Sequence, residues 1–442
     1  MGDKANPGVG HASVALSAAA ATAFISSSEI IVFVIRVLQV VKTAEGAQWA
    51  ARQARVLRGM GVETHVAVPT DRGKAIEEWE AAGATVHVAD LRLPLRQLPR
   101  LALATRRARE LVAMVQPDVI HSHFVTTTCL LRIALGRRHT VPRIFQVAGP
   151  LHLEHWWTRR FEIGLAGPRD YWVGSSRCIN SWYRRSGVPA ERIFLSYWGF
   201  ETRRQVAHET GKLRQAVAAR PDEIIVGNVS WMYPPKFFLG QRVGLKCHED
   251  LIEALGYVCR ARPNVLGVIV GGAWNGAGWY EQKLKRLADK AAGNRIRFTG
   301  PLPGEAAKRA WKDFDLAVHV PLSENCGGVI EPLNAGVPVI ASAIGGLPEV
   351  VIDGRTGLLI PPRRPYALAR AITDALDRKK ECLKMAAAGK RLVDTMFDVE
   401  RTAQEVYQVY RHLLDPRCLA PVPFDSVGFL GGTSSVEHNA EV

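Results

Sequence analysis

Short apolar runs separated by amphipathic stretches recur along most of this 442-residue chain. Arg36–Val41, Thr64–Val68, Thr85–Ala89, Asp118–His121 and Arg143–Val147 are too short for helices and read as buried strands. Ala47–Gly59 and Lys74–Ala82, between them, place apolar residues at helical spacing. The run D-Y-W-V-G-S-S at 170–176 supplies another strand, and the helix Cys178–Ser186 follows it. A second series begins at 223–229 and continues through Val265–Val270, Arg295–Thr299, Asp315–Pro321 and Val337–Ala341. Its helices are expected at Asp250–Arg260, Tyr280–Ala292, Pro365–Leu376 and Lys379–Met396, with the polar stretch His208–Pro221 a helix between the two series. Alternation of this kind predicts parallel sheets with helices on both faces, and the chain is long for one core. Two α/β domains follow.

Residues 321–357 carry the densest chemistry. The strand Asp315–Pro321 breaks into the Gly-rich loop L-S-E-N-C-G-G and restarts as a helix near Val329. The strand Val337–Ala341 then meets a second Gly-Gly loop and a helix opened by Pro348. Two helix N-termini side by side bind phosphate through free backbone N–H groups and the helix dipole. Glu331, read as lying in the first helical turn, has the reach to take a diol such as a ribose. The pattern suggests a nucleoside diphosphate whose sugar is held at one helix mouth.

This segment resembles the donor-site signature of retaining glycosyltransferase family 4, the glycosyl transferases group 1. The likeness continues in R-V-L-Q-V-V-K-T-A-E-G-A-Q-W (36–49), P-D-V-I-H-S-H-F (117–124) and G-L-K-C-H-E-D-L-I-E-A-L (244–255). It implies an α/β GT-B fold, two facing Rossmann-like doubly wound domains with a deep interdomain cleft. On that reading residues 35–202 form the acceptor-binding domain and 203–396 the nucleotide-sugar-binding domain. Residues 397–415 form a helix returning toward the first domain. Residues 1–34 and 416–442 are expected to be disordered.

By the same resemblance, Glu331 takes the ribose hydroxyls and Lys246 neutralises the diphosphate. The backbone of Asn325, Cys326, Gly327, Gly328 and Val329 faces phosphates and sugar, with Gly300 also on the donor side. Gly46 and Gly149 belong to the glycine and acceptor loops. Several positions depart from the family pattern. Glu324 and Glu331 stand one residue closer than the family's acidic pair, so Ser323 holds the first acidic position in strict register. Trp231 stands where a phosphate arginine is usual, leaving Lys236 or Arg242 to substitute. Ala148 stands where the family has a histidine, and His152 is its expected replacement. Catalysis is therefore assigned to Lys246, Glu324 and His152. The implied reaction moves a sugar from a nucleotide-diphosphate donor to a glycan or lipid-linked acceptor, in polysaccharide or cell-envelope synthesis. It requires no cofactor and no metal. Same-fold alternatives are a sugar-nucleotide epimerase, a phosphorylase, or a nucleotide-binding protein without turnover.

Composition refines the picture. The chain has 57 basic and 42 acidic side chains, a net charge of +15. Arg100, Arg106, Arg107 and Arg109 line one side of a helix after Pro99, a face suited either to an anionic membrane or simply to solvent. The basic residues lack aromatic interleaving, so nucleic acid is not an expected partner. Seven scattered cysteines without C-x-x-C suggest a reducing compartment and a cytoplasmic protein, placed at most on the inner face of the membrane. The apolar stretch Val14–Val34 is interrupted by Ser26, Ser27, Ser28 and Glu29, against a spanning helix. His121 with His123, and His152 with His155, lack the carboxylate partners of a metal site. The absence of G-x-G-x-x-G after the first strand disfavours a dinucleotide enzyme.

Overall fold

The computed structural model describes residues 34–94, 97, 99–201 and 211–431. The expected N-terminal extension lies outside them. Seven parallel strands form the first sheet: β1 (Ile35–Val40), β2 (Val62–Val68), β3 (Thr85–Val88), β4 (Val119–Ser122), β5 (Arg143–Val147), β6 (Asp170–Gly174) and β7 (Ile193–Leu195). Their spatial order is β3-β2-β1-β4-β5-β6-β7. Six more parallel strands form the second: β8 (Ile224–Val229), β9 (Val265–Val270), β10 (Ile296–Gly300), β11 (Leu316–His319), β12 (Val339–Ser342) and β13 (Leu358–Ile360), in the order β10-β9-β8-β11-β12-β13. The order in which successive strands are laid down reverses once in each sheet, between β1 and β4 and between β8 and β11. The crevice at such a switch point, outside the carboxyl ends of the strands, is where open α/β sheets take ligands. This is the two-domain GT-B architecture.

Local sequence explains the elements. Every residue of β9, V-L-G-V-I-V, is buried, as expected of a parallel strand covered on both faces. The helix Val125–Leu135 escapes sequence reading because V-T-T-T is β-branched. Here the Thr127 and Thr128 hydroxyls donate back to the Phe124 carbonyl at 2.8 and 2.9 Å, and the helix stands. The expected helix at His208–Pro221 falls partly outside the described residues. What is described is one short helix, Lys212–Ala216, ended by Ala218 in the left-handed region at φ 45°.

Two helix starts in the signature segment are corrected. The first helix is Gly327–Asn334, beginning before Val329, and its first turn holds no acid. Pro348 opens only a 3-10 turn, Leu347–Glu349, because Leu347, Val350 and Val351 all turn into the second core. The tail is also more ordered than its composition suggests. Phe424 and Leu430 pack on the second core, and Arg177 and Arg355 donate to their carbonyls at 2.8 and 2.6 Å. Residues 432–442 lie outside the described residues.

The helix Val399–Leu414 follows the second sheet yet packs on the first. Asp398 caps it, accepting from the Glu400 and Arg401 N–H groups at 2.9 and 3.0 Å. Its stripe of Ala403, Val406, Val409, Tyr410 and Leu413 covers Ile35, Val37 and Ile144. Deep in that contact the Tyr410 hydroxyl meets His121 Nδ1 at 2.6 Å and accepts from Gln39 Nε2 at 3.3 Å. The carboxyl edges of the sheets meet directly. Asn325 Nδ2 donates to Ser175 Oγ at 2.8 Å, and Glu349 accepts from the N–H groups of Arg177 and Cys178 at 2.8 and 3.0 Å and from the Tyr197 hydroxyl at 2.6 Å. Tyr410→Phe strips partners from two buried groups, and the expected loss is about 1–3 kcal/mol in denaturant unfolding, with no loss of secondary structure by circular dichroism.

Candidate active site

The second sheet's switch point is organised around one carboxylate. β11 ends at His319, and the loop beyond it carries Glu324 back toward the strand. Glu324 Oε2 receives the Lys246 ammonium and lies 3.1 Å from His319 Nε2. Lys246 comes from the loop just before the helix His248–Ala261, so a β8-side element and a β11-side element are joined by this pair. Burial alone would push the Glu324 carboxyl up. Lys246 and then His319 outweigh it and hold the group well below the usual carboxylate range. Burial keeps His319 low, so its ring is neutral at physiological pH.

The glycines serve this loop. A Cβ at Gly328 would sit 2.0 Å from His319 Nε2. Gly345 has φ 57°, and a Cβ there would strike the Glu324 carbonyl at 1.8 Å. The helix Gly327–Asn334 therefore starts hard against His319, with first-turn N–H groups that no intrahelical acceptor uses.

The remaining sequence assignments separate into two groups. Gly327 and Gly328 are half-buried at the helix mouth, and Glu331 is the helix's fifth residue, held by Trp311 Nε1 at 3.2 Å. The side chains of Ser323, Asn325 and Cys326 are enclosed: Asn325 is bonded to Ser175, and burial pushes the Cys326 thiol far up. Val329 points into the core, leaving only its backbone for a ligand. Gly300 closes β10, and its carbonyl is taken by the Gly271 N–H at 3.0 Å. Gly46 is half-buried beside Thr43, whose hydroxyl accepts its N–H at 3.3 Å. Gly149 is half-buried in the loop after β5. Arg242 is exposed on the loop after β8, while the half-buried Lys236 on the same loop lies close enough to Lys42 to lower that lysine's pKa.

His152 is not brought to Glu324. Its Nε2 lies 3.1 Å from the Tyr183 hydroxyl and its ring packs near Phe145, inside the first domain, where burial lowers its pKa. The short helix Leu151–Glu154 turns the histidine inward and carries Glu154 outward instead. Glu154 is exposed by surface area, yet the partial burial of its carboxyl raises its pKa, with Ser323 near enough to oppose the rise.

Sequence reading missed five further groups. Glu154 had no motif to mark it. Lys42, after β1, is reachable by solvent yet crowded, and its pKa is lowered by burial and by Lys236 and Arg92; its place at a strand's carboxyl end was the available signal. Trp198 stands 3.3 Å from where a Gly327 Cβ would lie, stacked on Trp49, with its indole N–H buried and unpartnered. His319 and Trp311, the partners of the two glutamates, complete the set. Among the described residues, no three His, Cys, Asp or Glu side chains stand together as metal ligands. His121 and His123 stack at 4.4 Å, but they are engaged with Tyr410 and Gln39.

The profile of Glycosyltransferase Family 4 matches residues 46–204, and that of Glycosyl transferases group 1 matches 234–392. A D-inositol 3-phosphate glycosyltransferase of Frankia alni is 30% identical over 403 residues, spanning 83% of this chain and 94% of its own. The chain belongs to the family-4 glycosyltransferases. Solved structures share the fold. The UDP complex of Anabaena Alr3699/HepE superposes with a TM-score of 0.68 at 24% identity, over 85% of this glycosyltransferase and 99% of that chain. A sucrose-phosphate synthase of Thermosynechococcus elongatus gives 0.69 at 19%, over 86% and 100%.

A depressed carboxyl stabilises the fold above its unfolded value of 4.5, and that contribution is lost as pH falls toward the folded value. Wild type is therefore expected to exceed Glu324→Gln in thermal midpoint at neutral pH, by a margin that shrinks as pH drops through the carboxylate range. A margin independent of pH would disprove the ion pair. Gly328→Ala, forced against His319, is expected to lower the midpoint and to impair donor binding measured by calorimetry.

Proposed function

We propose that this glycosyltransferase uses a nucleoside-diphosphate sugar and transfers the sugar with retention of configuration. The observation that carries the reading is the Lys246–Glu324–His319 group set against the open N-terminus of the helix Gly327–Asn334. The diphosphate lies over the helix mouth, where backbone N–H groups and the dipole meet its charge. Lys246 turns from Glu324 to the leaving phosphate, and Glu324, released, faces the donor sugar. Glu331 takes the ribose, and the unpartnered Trp198 indole supplies one more donor at the mouth. As the glycosidic bond to the diphosphate breaks, negative charge grows on the leaving oxygen. Lys246 and the helix mouth stabilise it there. The acceptor hydroxyl enters on the same face, and its proton passes to that oxygen.

The acceptor is a glycan or lipid-linked molecule held by the first domain. Glu154 orients its hydroxyl from across the seam, and Lys42 and Lys236, like charges facing each other from opposite domains, bind an anionic group on it. The named relative acts on an inositol phosphate, which agrees with a charged acceptor. Such chemistry suits the building of polysaccharide or cell envelope.

Proton NMR of the product from an α-linked donor decides the stereochemistry: an α-linked product is expected. A β-linked product would overturn retention and make Glu154 the base of an inverting reaction. Lys246→Ala is expected to weaken donor binding by about ten- to a hundredfold. Glu154→Gln should raise the acceptor KM while leaving nucleotide binding unchanged, and equal loss of both would remove its assigned role.

A further inference from the structure

The helix Trp156–Gly164 turns an unusual face outward. Trp156, Trp157, Arg160 and Phe161 fall within one arc of its surface, the indoles 70% and 54% exposed and Phe161 48%. The helix's only carboxylate, Glu162, points inward, where it binds Arg132 and the Trp172 indole. The outward arc is thus apolar and cationic, without an acid. It begins two residues after Glu154, at the seam between the domains.

A second aromatic pair stands at the same seam from the other domain. Phe237 and Phe238 are 68% and 83% exposed, on the loop after β8 that also carries Lys236 and Arg242. Lys42 lies near Lys236, so this pair too stands beside cations, while Arg92, also near Lys42, is taken by Asp90 at 2.5 Å. The basic helix Arg100–Val115, whose sequence suits either a membrane or solvent, has less free charge to offer. Its Arg106 is paired with Glu110 at 2.6 Å, and Arg109 is bound to the Ala134 carbonyl at 2.6 Å.

Exposed aromatic rings interleaved with Arg and Lys have the composition that settles at the headgroup level of an anionic bilayer. We propose that these two patches seat the protein on an anionic membrane, one from each domain, with the seam against the lipid surface. Binding is interfacial, since among the described residues no helix is long and apolar enough to cross a membrane.

The test is co-sedimentation of the full chain with vesicles of phosphatidylcholine alone or mixed with phosphatidylglycerol, which needs no turnover. Binding is expected to the mixed vesicles only, and to fall as salt is raised. The paired substitutions Trp156→Ser with Trp157→Ser, or Phe237→Ser with Phe238→Ser, should each weaken it at least about tenfold. Arg160→Glu should weaken it roughly fivefold or more. These side chains are exposed, and an unchanged thermal midpoint confirms folding. Failure of wild type to bind mixed vesicles, or equal binding to both lipids, overturns the proposal. So does loss of binding in Arg107→Glu with full binding in the aromatic variants, which would move the contact to the Arg100–Val115 helix. Self-association that the aromatic substitutions abolish, without vesicle binding, would make the surface a protein contact instead.

Discussion

A largely enclosed carboxylate next to a lysine and a neutral histidine is the constraint on which the site rests. Desolvating Glu324 is costly, and only the nearby ammonium makes the arrangement tenable. Each neighbouring choice follows from it. His319 must press against the helix start, so position 328 must be glycine. The loop must double back, so Gly345 takes the left-handed conformation under the Glu324 carbonyl. The first-turn N–H groups of that helix are left without intrahelical acceptors beside the Lys246–Glu324 pair.

The seam shows the same economy. Glu349 caps the helix Arg177–Arg185 from the other domain, and Asn325 reaches Ser175 beside it. Both contacts come from the segments that also shape the donor loop. Contact between the domains and the shape of that loop therefore depend on the same short turns. Side chains at 323, 325 and 326 are committed to this joint, which is why they are hidden while the glycines after them remain accessible.

Much of the fold was legible because parallel strands announce themselves as dense apolar runs. β9 and β5 could hardly be read otherwise. The loop that joins Glu324 to the helix Gly327–Asn334 stood out for a different reason: glycines in fixed relation to Glu331 and Lys246 form a pattern with few other causes. What stayed hidden depends on contacts distant in sequence. Nothing local says that His152 turns inward to Tyr183 while Glu154 turns out. The helix Val125–Leu135 was masked by threonines whose hydroxyls bond to backbone, a tertiary choice rather than a propensity. The Lys42–Lys236 approach exists only once two domains face each other.

The returning helix Val399–Leu414 has a consequence for biogenesis. Until it leaves the ribosome, the face of the first sheet bearing Ile35, Val37 and Ile144 has no cover, although those strands were made long before. The first domain must wait, partly dressed, while the entire second domain is synthesised, an interval in which holdase chaperones find an apolar target. Truncation at the far end of the chain would thus harm the half made first.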